Sequence, residues 1–178
     1  MKYTIHAAAA AIALSFAAAA IAADKKDEKK DDKKASAAES ASTHTLADFK
    51  IGAHITGPEV KLEEVKGKAV VIENWGVHCG PCLASLPEMQ KISKRYKDSL
   101  VLIGAHSQDA SDDEVKEVVK KNRLTYTIVK RSQSPSDVSS STIPHAYVFD
   151  AEGKLVFHGL PRDREFEKAL RKALPKKS

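Results

Sequence analysis

The chain of 178 residues has only two cysteines, one tryptophan and two methionines, and aromatic residues make up 6% of it. A structural zinc site usually takes four protein ligands, and no second cysteine pair exists to supply them. The formal charge of +5 is modest. Basic residues lie scattered beside acids, as on solvated helix faces, and aromatics do not interleave with them, which argues against a nucleic-acid partner. No cysteine ends the N-terminal apolar run, which excludes a lipid-modified N-terminus of the usual kind.

That run is the first positive feature. Lys2 gives a short positive start, Ile5 to Ala22 is almost wholly apolar, and Asp24-Lys25-Lys26 closes it. Ala20-Ile21-Ala22 fits the small-x-small pattern of a signal peptidase site, so residues 1–23 read as a signal peptide and the mature chain is expected to start near Ala23 or Asp24. The rival reading is a retained membrane anchor, although the stretch is alanine-heavy rather than leucine-heavy. Export to the periplasm, the expected location, would put the cysteines in an oxidising compartment. Residues 24–45 hold mostly Lys, Asp, Glu, Ala and Ser with no apolar face, and are expected to form a disordered charged linker. Residues 46–178 are long enough for one ordinary domain with its own core.

Within that domain, Leu46 to Val60 suggests an extended lead-in with a turn or short hairpin, and Lys61 to Lys66 one helical turn ending at Gly67. The apolar run Ala69-Val70-Val71-Ile72 leading into Glu73-Asn74-Trp75 predicts a central strand buried on both faces. A helix from about Pro81 to Lys97 follows, with Pro87 expected to kink it. Leu100 to Ala105 reads as a second buried strand. Ser111 is placed to cap a helix over 112–121 whose first turn is acidic. Tyr126 to Val129 reads as a short strand and Ser132 to Ser141 as a serine-rich loop. His145 to Asp150 and Lys154 to His158 form a hairpin around Glu152-Gly153, and Arg162 to Leu174 an amphipathic helix. The order predicts an α/β domain with a mixed sheet covered on both faces.

Both cysteines fall in Cys79-Gly80-Pro81-Cys82, between the first buried strand and its helix. Thiols at this spacing can close a small disulfide ring and open it again. A disulfide spanning two residues closes almost no loop, so a purely structural role would contribute little stability. Cys79, ahead of the helix, is expected to be partly exposed, with its thiolate stabilised by N–H groups of the helix start. Cys82, one turn in, is expected to be more buried and suited to resolve a mixed disulfide. Pro81 is well placed at the helix start, where a missing N–H costs nothing.

From about residue 46 to residue 174 the chain resembles the thioredoxin superfamily, nearest to its exported TlpA/ResA-like thiol-disulfide oxidoreductases. The resemblance is carried by Glu73-Asn74-Trp75-Gly76-Val77-His78-Cys79-Gly80-Pro81-Cys82, by Thr142-Ile143-Pro144 and by the Phe149-to-Lys154 hairpin turn. It implies a thioredoxin-like fold, a mixed central sheet flanked by helices. It implies a dithiol enzyme without a bound cofactor that acts on substrate proteins with disulfides and is recharged by a membrane electron donor, a monomer being expected. Cytochrome c maturation is the best-known task of such proteins. The Gly80-Pro81 pair commonly accompanies reducing members. Glu73 matches a position that often carries a buried acid, where it would take the proton of Cys82; a solvent-facing glutamate is the alternative. Some relatives place an acid three residues after the second cysteine, where this chain has Ser85. Ile143-Pro144 matches the family's cis-proline loop, which faces the cysteines and leaves the Ile143 backbone free to pair with substrate.

His78 departs from the residues that frequently precede the first cysteine. It would either favour the Cys79 thiolate as a cation or serve only as an exposed contact. Trp75 is expected to pack beneath the active-site loop, and His145 to lie near the sulfurs or point away. Three other functions compete with disulfide reduction. One is a disulfide-forming oxidant. Another is a Cu(I)-binding metallochaperone using both thiolates and His78 or His145. The third, a thiol peroxidase, is disfavoured because Gly76 stands three residues before Cys79 with no preceding threonine.

Overall fold

The computed structural model describes residues 43–176. The expected signal peptide and most of the expected linker lie outside the described residues. A six-stranded sheet in the order β2-β5-β4-β3-β7-β8 forms the centre. Its strands are β2 (His54–Thr56), β3 (Ala69–Trp75), β4 (Leu100–His106), β5 (Thr127–Lys130), β7 (His145–Phe149) and β8 (Leu155–Gly159). β3, β4 and β5 are mutually parallel, whereas β2, β7 and β8 pair antiparallel with their neighbours, so the sheet is mixed as expected.

Every residue of β3 is buried, as its unbroken apolar start requires of a strand covered on both faces. Its side chains alternate between two clusters. Val71 and Trp75 join the buried residues of α1 (Gly80–Arg95), α2 (Asp112–Lys121) and α3 (Arg164–Ala173). Val70 and Ile72 face a second cluster closed by Leu46, Phe49 and Val65 from the lead-in and Val138 from the serine-rich loop. Steps from β3 to β4 to β5 run in one direction across the sheet, and right-handed crossovers therefore put α1 and α2 on the same face.

Local chemistry sets the helix ends. Ser111 Oγ accepts the Glu114 N–H at 3.3 Å while the Glu114 carboxylate takes the Ser111 N–H at 2.8 Å, a reciprocal cap that fixes the start of α2. α1 begins directly after Cys79 and runs on through Pro87 to Arg95. Gly67 has a φ of +80° after a single 3-10 turn at Leu62–Glu64, as the sequence predicts.

The lead-in is not a hairpin. β1 (Lys50–Ile51) pairs antiparallel with β6 (Ser132–Gln133), and β2 pairs with β5, so both segments find partners far along the chain. The turn that follows β2 holds Gly57 at φ +85°, so close to the Tyr126 carbonyl that a Cβ would overlap it. Near the start of the described residues, Thr45 bridges to Lys154 and the His44 carbonyl accepts the Leu155 N–H at 2.9 Å.

Candidate active site

The strand-to-helix turn after β3 brings the cysteines together. Cys79 and Cys82 are joined by a disulfide with an S–S distance of 2.06 Å and a Cα separation of 5.2 Å. Cys79 is 9% exposed and Cys82 not at all, so only the first sulfur is within reach of a partner. Cys79 is also the residue at which α1 begins, and its Sγ accepts the Cys82 N–H at 3.2 Å. A helix start presents N–H groups without intrahelical acceptors, which favour negative charge on the sulfur facing them. Gly80 and Pro81 occupy the first positions of α1, Gly80 with open space around its Cα.

Glu73 lies on β3 on the cluster face that holds both cysteines, and it is wholly buried; the solvent-facing alternative is excluded. Burial raises its pKa from 4.5 to about 7, against a smaller opposing effect of its hydrogen bond to Ser85. Ser85 Oγ lies 3.0 Å from Glu73 Oε1 and 2.7 Å from the Cys82 carbonyl. A hydroxyl has one proton, and the carbonyl can only accept. Both contacts are therefore satisfied together when a protonated Glu73 donates to Ser85 and Ser85 donates to Cys82. Ionised Glu73 must compete with the carbonyl for the same hydrogen. The arrangement links the protonation of Glu73 to the helical turn that carries Cys82.

The Ile143–Pro144 bond is cis, as the resemblance predicts, and the Ile143 carbonyl oxygen lies 3.7 Å from Cys79 Sγ. The loop ahead of β7 thus faces the Cys79 sulfur. Trp75 is fully buried in the cluster that contains both cysteines, with its ring edge-on to His106 at 5.4 Å. His78 is exposed, and what the fold uses is its backbone N–H, which donates to Gln108 Oε1 at 2.8 Å.

His145 points away from the sulfurs. On β7 the next residue, Ala146, packs in the cysteine-containing cluster, so the alternation of the strand turns His145 to the opposite face. There its ring lies 4.9 Å from that of Tyr147 and 5.6 Å from that of His158. Burial and then the charge of His158 lower its pKa from 6.5 to about 4. Among the described residues no group of three or more His, Cys, Asp or Glu side chains could hold a metal. The sequence reading missed His106 and Gln108. Their side chains reach across from the end of β4 to the cysteine-bearing turn, and the parallel neighbour relation of the two strands was the signal that could have found them.

A model of the AhpC/TSA family matches residues 38–158. The chain is 28% identical over 125 residues to the thiol-disulfide oxidoreductase ResA of Bacillus thuringiensis subsp. konkukian, covering 68% of this chain and 72% of that protein. It is 26% identical over 121 residues to the thioredoxin-like protein YneN of Bacillus subtilis, covering 65% and 71%. Among solved structures, a thioredoxin-family thiol:disulfide interchange protein from Chlorobium tepidum TLS matches with a TM-score of 0.60 at 20% identity. That match covers 72% of this chain and 95% of the other, and at this identity it shows the fold.

Proposed function

The chain belongs to the AhpC/TSA family, and from that premise we propose that it is an exported thiol-disulfide oxidoreductase that reduces disulfides in substrate proteins. The observation that carries the reading is the asymmetric pair itself, with Cys79 the less buried sulfur at a helix start and Cys82 wholly buried on a turn that Ser85 links to a buried carboxyl whose pKa is raised to about 7.

In the reduced protein the Cys79 thiolate attacks one sulfur of a substrate disulfide. An S–S bond forms between Cys79 and that sulfur as the substrate bond breaks, and the leaving substrate sulfur takes up a proton. Glu73, ionised, then accepts the Cys82 proton, and the Cys82 thiolate attacks Cys79 Sγ. The second substrate sulfur leaves as a thiolate and takes up a proton from solvent, and the protein is left with the Cys79–Cys82 disulfide, oxidised by two electrons. The Ile143 carbonyl and the backbone around Pro144 flank Cys79 where an extended substrate segment would pair. Exposed His78 and the Gly80-Pro81 surface are further points of substrate contact, and Trp75 supports the turn from below.

A membrane electron donor would return the pair to the dithiol, and the protein would act as a monomer. Export rests on residues 1–23; among the described residues no helix is long and apolar enough to cross a membrane. Cytochrome c maturation is the task that the likeness to ResA suggests.

Equilibration of the purified protein in defined thiol–disulfide buffers tests the direction. A potential near or below about −270 mV, that of thioredoxin, is expected for a dedicated reductant, and one near about −120 mV would make the protein a disulfide-forming oxidant. Disulfide reductase turnover must also vanish in C79S; unchanged turnover would remove the basis of the reading.

A further inference from the structure

The turn from Gly76 to Cys79 is held by two side chains from one place in the fold, the end of β4. His106 Nε2 accepts the Val77 N–H at 3.3 Å, and Gln108 Oε1 accepts the His78 N–H at 2.8 Å. The Gln108 side chain also lies against Gly76 so closely that a Cβ there would overlap its amide. The platform is itself anchored. The Ser107 N–H donates to the Trp75 carbonyl at 2.8 Å, the Arg131 N–H to the His106 carbonyl at 2.9 Å, and the Arg131 guanidinium to the Ser107 carbonyl at 2.9 Å. The Cys79 N–H closes the turn on the Gly76 carbonyl at 3.2 Å. Among the described residues, no other acceptor takes the two N–H groups that precede the nucleophile.

We propose that His106 and Gln108 are positioning residues that hold the turn in the geometry where Cys79 Sγ meets the N–H groups of α1, and that protonation of His106 releases the Val77 half of that hold. The inference deepens the oxidoreductase reading and rests on Cys79 as its nucleophile. Nε2 can accept only while it lacks a proton, so the bond requires neutral imidazole protonated on Nδ1. Trp75 packs edge-on against the ring, from β3. Burial above all, and then Arg131 and His78, keep His106 below the ordinary histidine value of 6.5, against the opposite pull of Asp112 and Glu114 on α2. Lys130, across the ladder from His106, is engaged by Asp112 at 2.8 Å. At neutral pH the acceptor is therefore available, and acid removes it.

The test uses the full-length protein in a C82S background, where Cys79 is the single thiol. Thiolate absorbance is followed against pH in C82S alone and with Q108A, G76A, H106A or H106Q. Q108A and H106A are expected to raise the Cys79 midpoint by about half to one unit, about a three- to tenfold fall in the acid dissociation constant of the thiol. G76A, which displaces the Gln108 amide, should behave like Q108A. H106Q restores an acceptor that does not titrate, so it keeps the C82S midpoint. It should also abolish an acid-side inflection in the alkylation rate of Cys79. Thermal melts establish that each variant is folded, and if H106A does not fold, Q108A and H106Q decide the matter. An unmoved midpoint in folded Q108A, or an acid inflection that survives in H106Q, would overturn the proposal. Reductase turnover of the unmutated protein is measured in parallel. Its absence would count against the enzyme reading and leave the thiolate readout intact, whereas turnover with unmoved midpoints would count against this inference alone.

Discussion

Replacing Glu73 by glutamine should reveal a pH-dependent instability built into the oxidised protein. The carboxyl is fully buried, and its midpoint rises from 4.5 to about 7 on folding. Below pH 4.5 the group is protonated in both folded and unfolded chains and contributes no pH dependence. Between the two midpoints the unfolded chain releases the proton while the folded chain keeps it, so stability falls as pH rises. Above the folded midpoint both states are ionised and the loss levels off. At about 1.4 kcal/mol per pKa unit the full loss is about 3 kcal/mol, a large part of the stability of an ordinary domain. Urea unfolding of the oxidised wild type and of E73Q, across this range, isolates the effect because every other titrating group is common to both. The wild type should lose about 3 kcal/mol relative to E73Q between the two midpoints. A flat difference, or one that grows in favour of the wild type with pH, would refute the reasoning about burial. The same variant should slow release of substrate from Cys79 by about 10²-fold, the low end of what a positioned base contributes.

Two further outcomes follow from the site and the core. C82S should accumulate a stable mixed disulfide between Cys79 and substrate protein, visible on non-reducing gels and absent in the C79S/C82S double variant; free turnover in C82S would mean that Cys82 does not resolve the intermediate. Leu86 is fully buried against the cysteine-bearing turn of α1, so Leu86→Ala should cost about 2–5 kcal/mol in urea unfolding. A loss under about 1 kcal/mol would show that the core beneath the site can collapse around the gap.

What the sequence made legible was whatever rests on local pattern. The apolar run of β3, the capping chemistry at Ser111 and the turn at Gly153 each name their own structure, and the observed bounds fall within a residue or two of those expected. The cysteine spacing and the Ile143-Pro144 pair likewise led to residues that the fold brings within contact. The extended lead-in and its turn were legible, but its partners were not, because β1 and β6 are two residues long each and meet only through the rest of the fold. A strand of two residues has no period to detect. His106 and Gln108 escaped for a related reason. They bind backbone N–H groups about thirty positions earlier, and a side chain that serves a distant backbone leaves no spacing in the sequence. Only the register of β3 on β4, which sets Trp75 beside His106, makes the relation visible.

The two sulfurs are served by different physics, and this difference orders the reaction. Cys79 has a helix start facing it and solvent within reach, so its charge is stabilised by fixed N–H groups that neither gain nor lose protons in the working range. Cys82 has no contact with water, and a thiol so placed can give its proton only to a neighbouring base. The acid that shares its buried shell titrates near 7 and is tied through Ser85 to the carbonyl of Cys82 itself. In the proposed reaction, attack on substrate would depend on the geometry of the turn, and release of substrate on the protonation of Glu73. The pH profile of turnover should divide accordingly. A change at Glu73 moves the step that frees the product, while a change at His106 or Gln108 moves the step that captures the substrate.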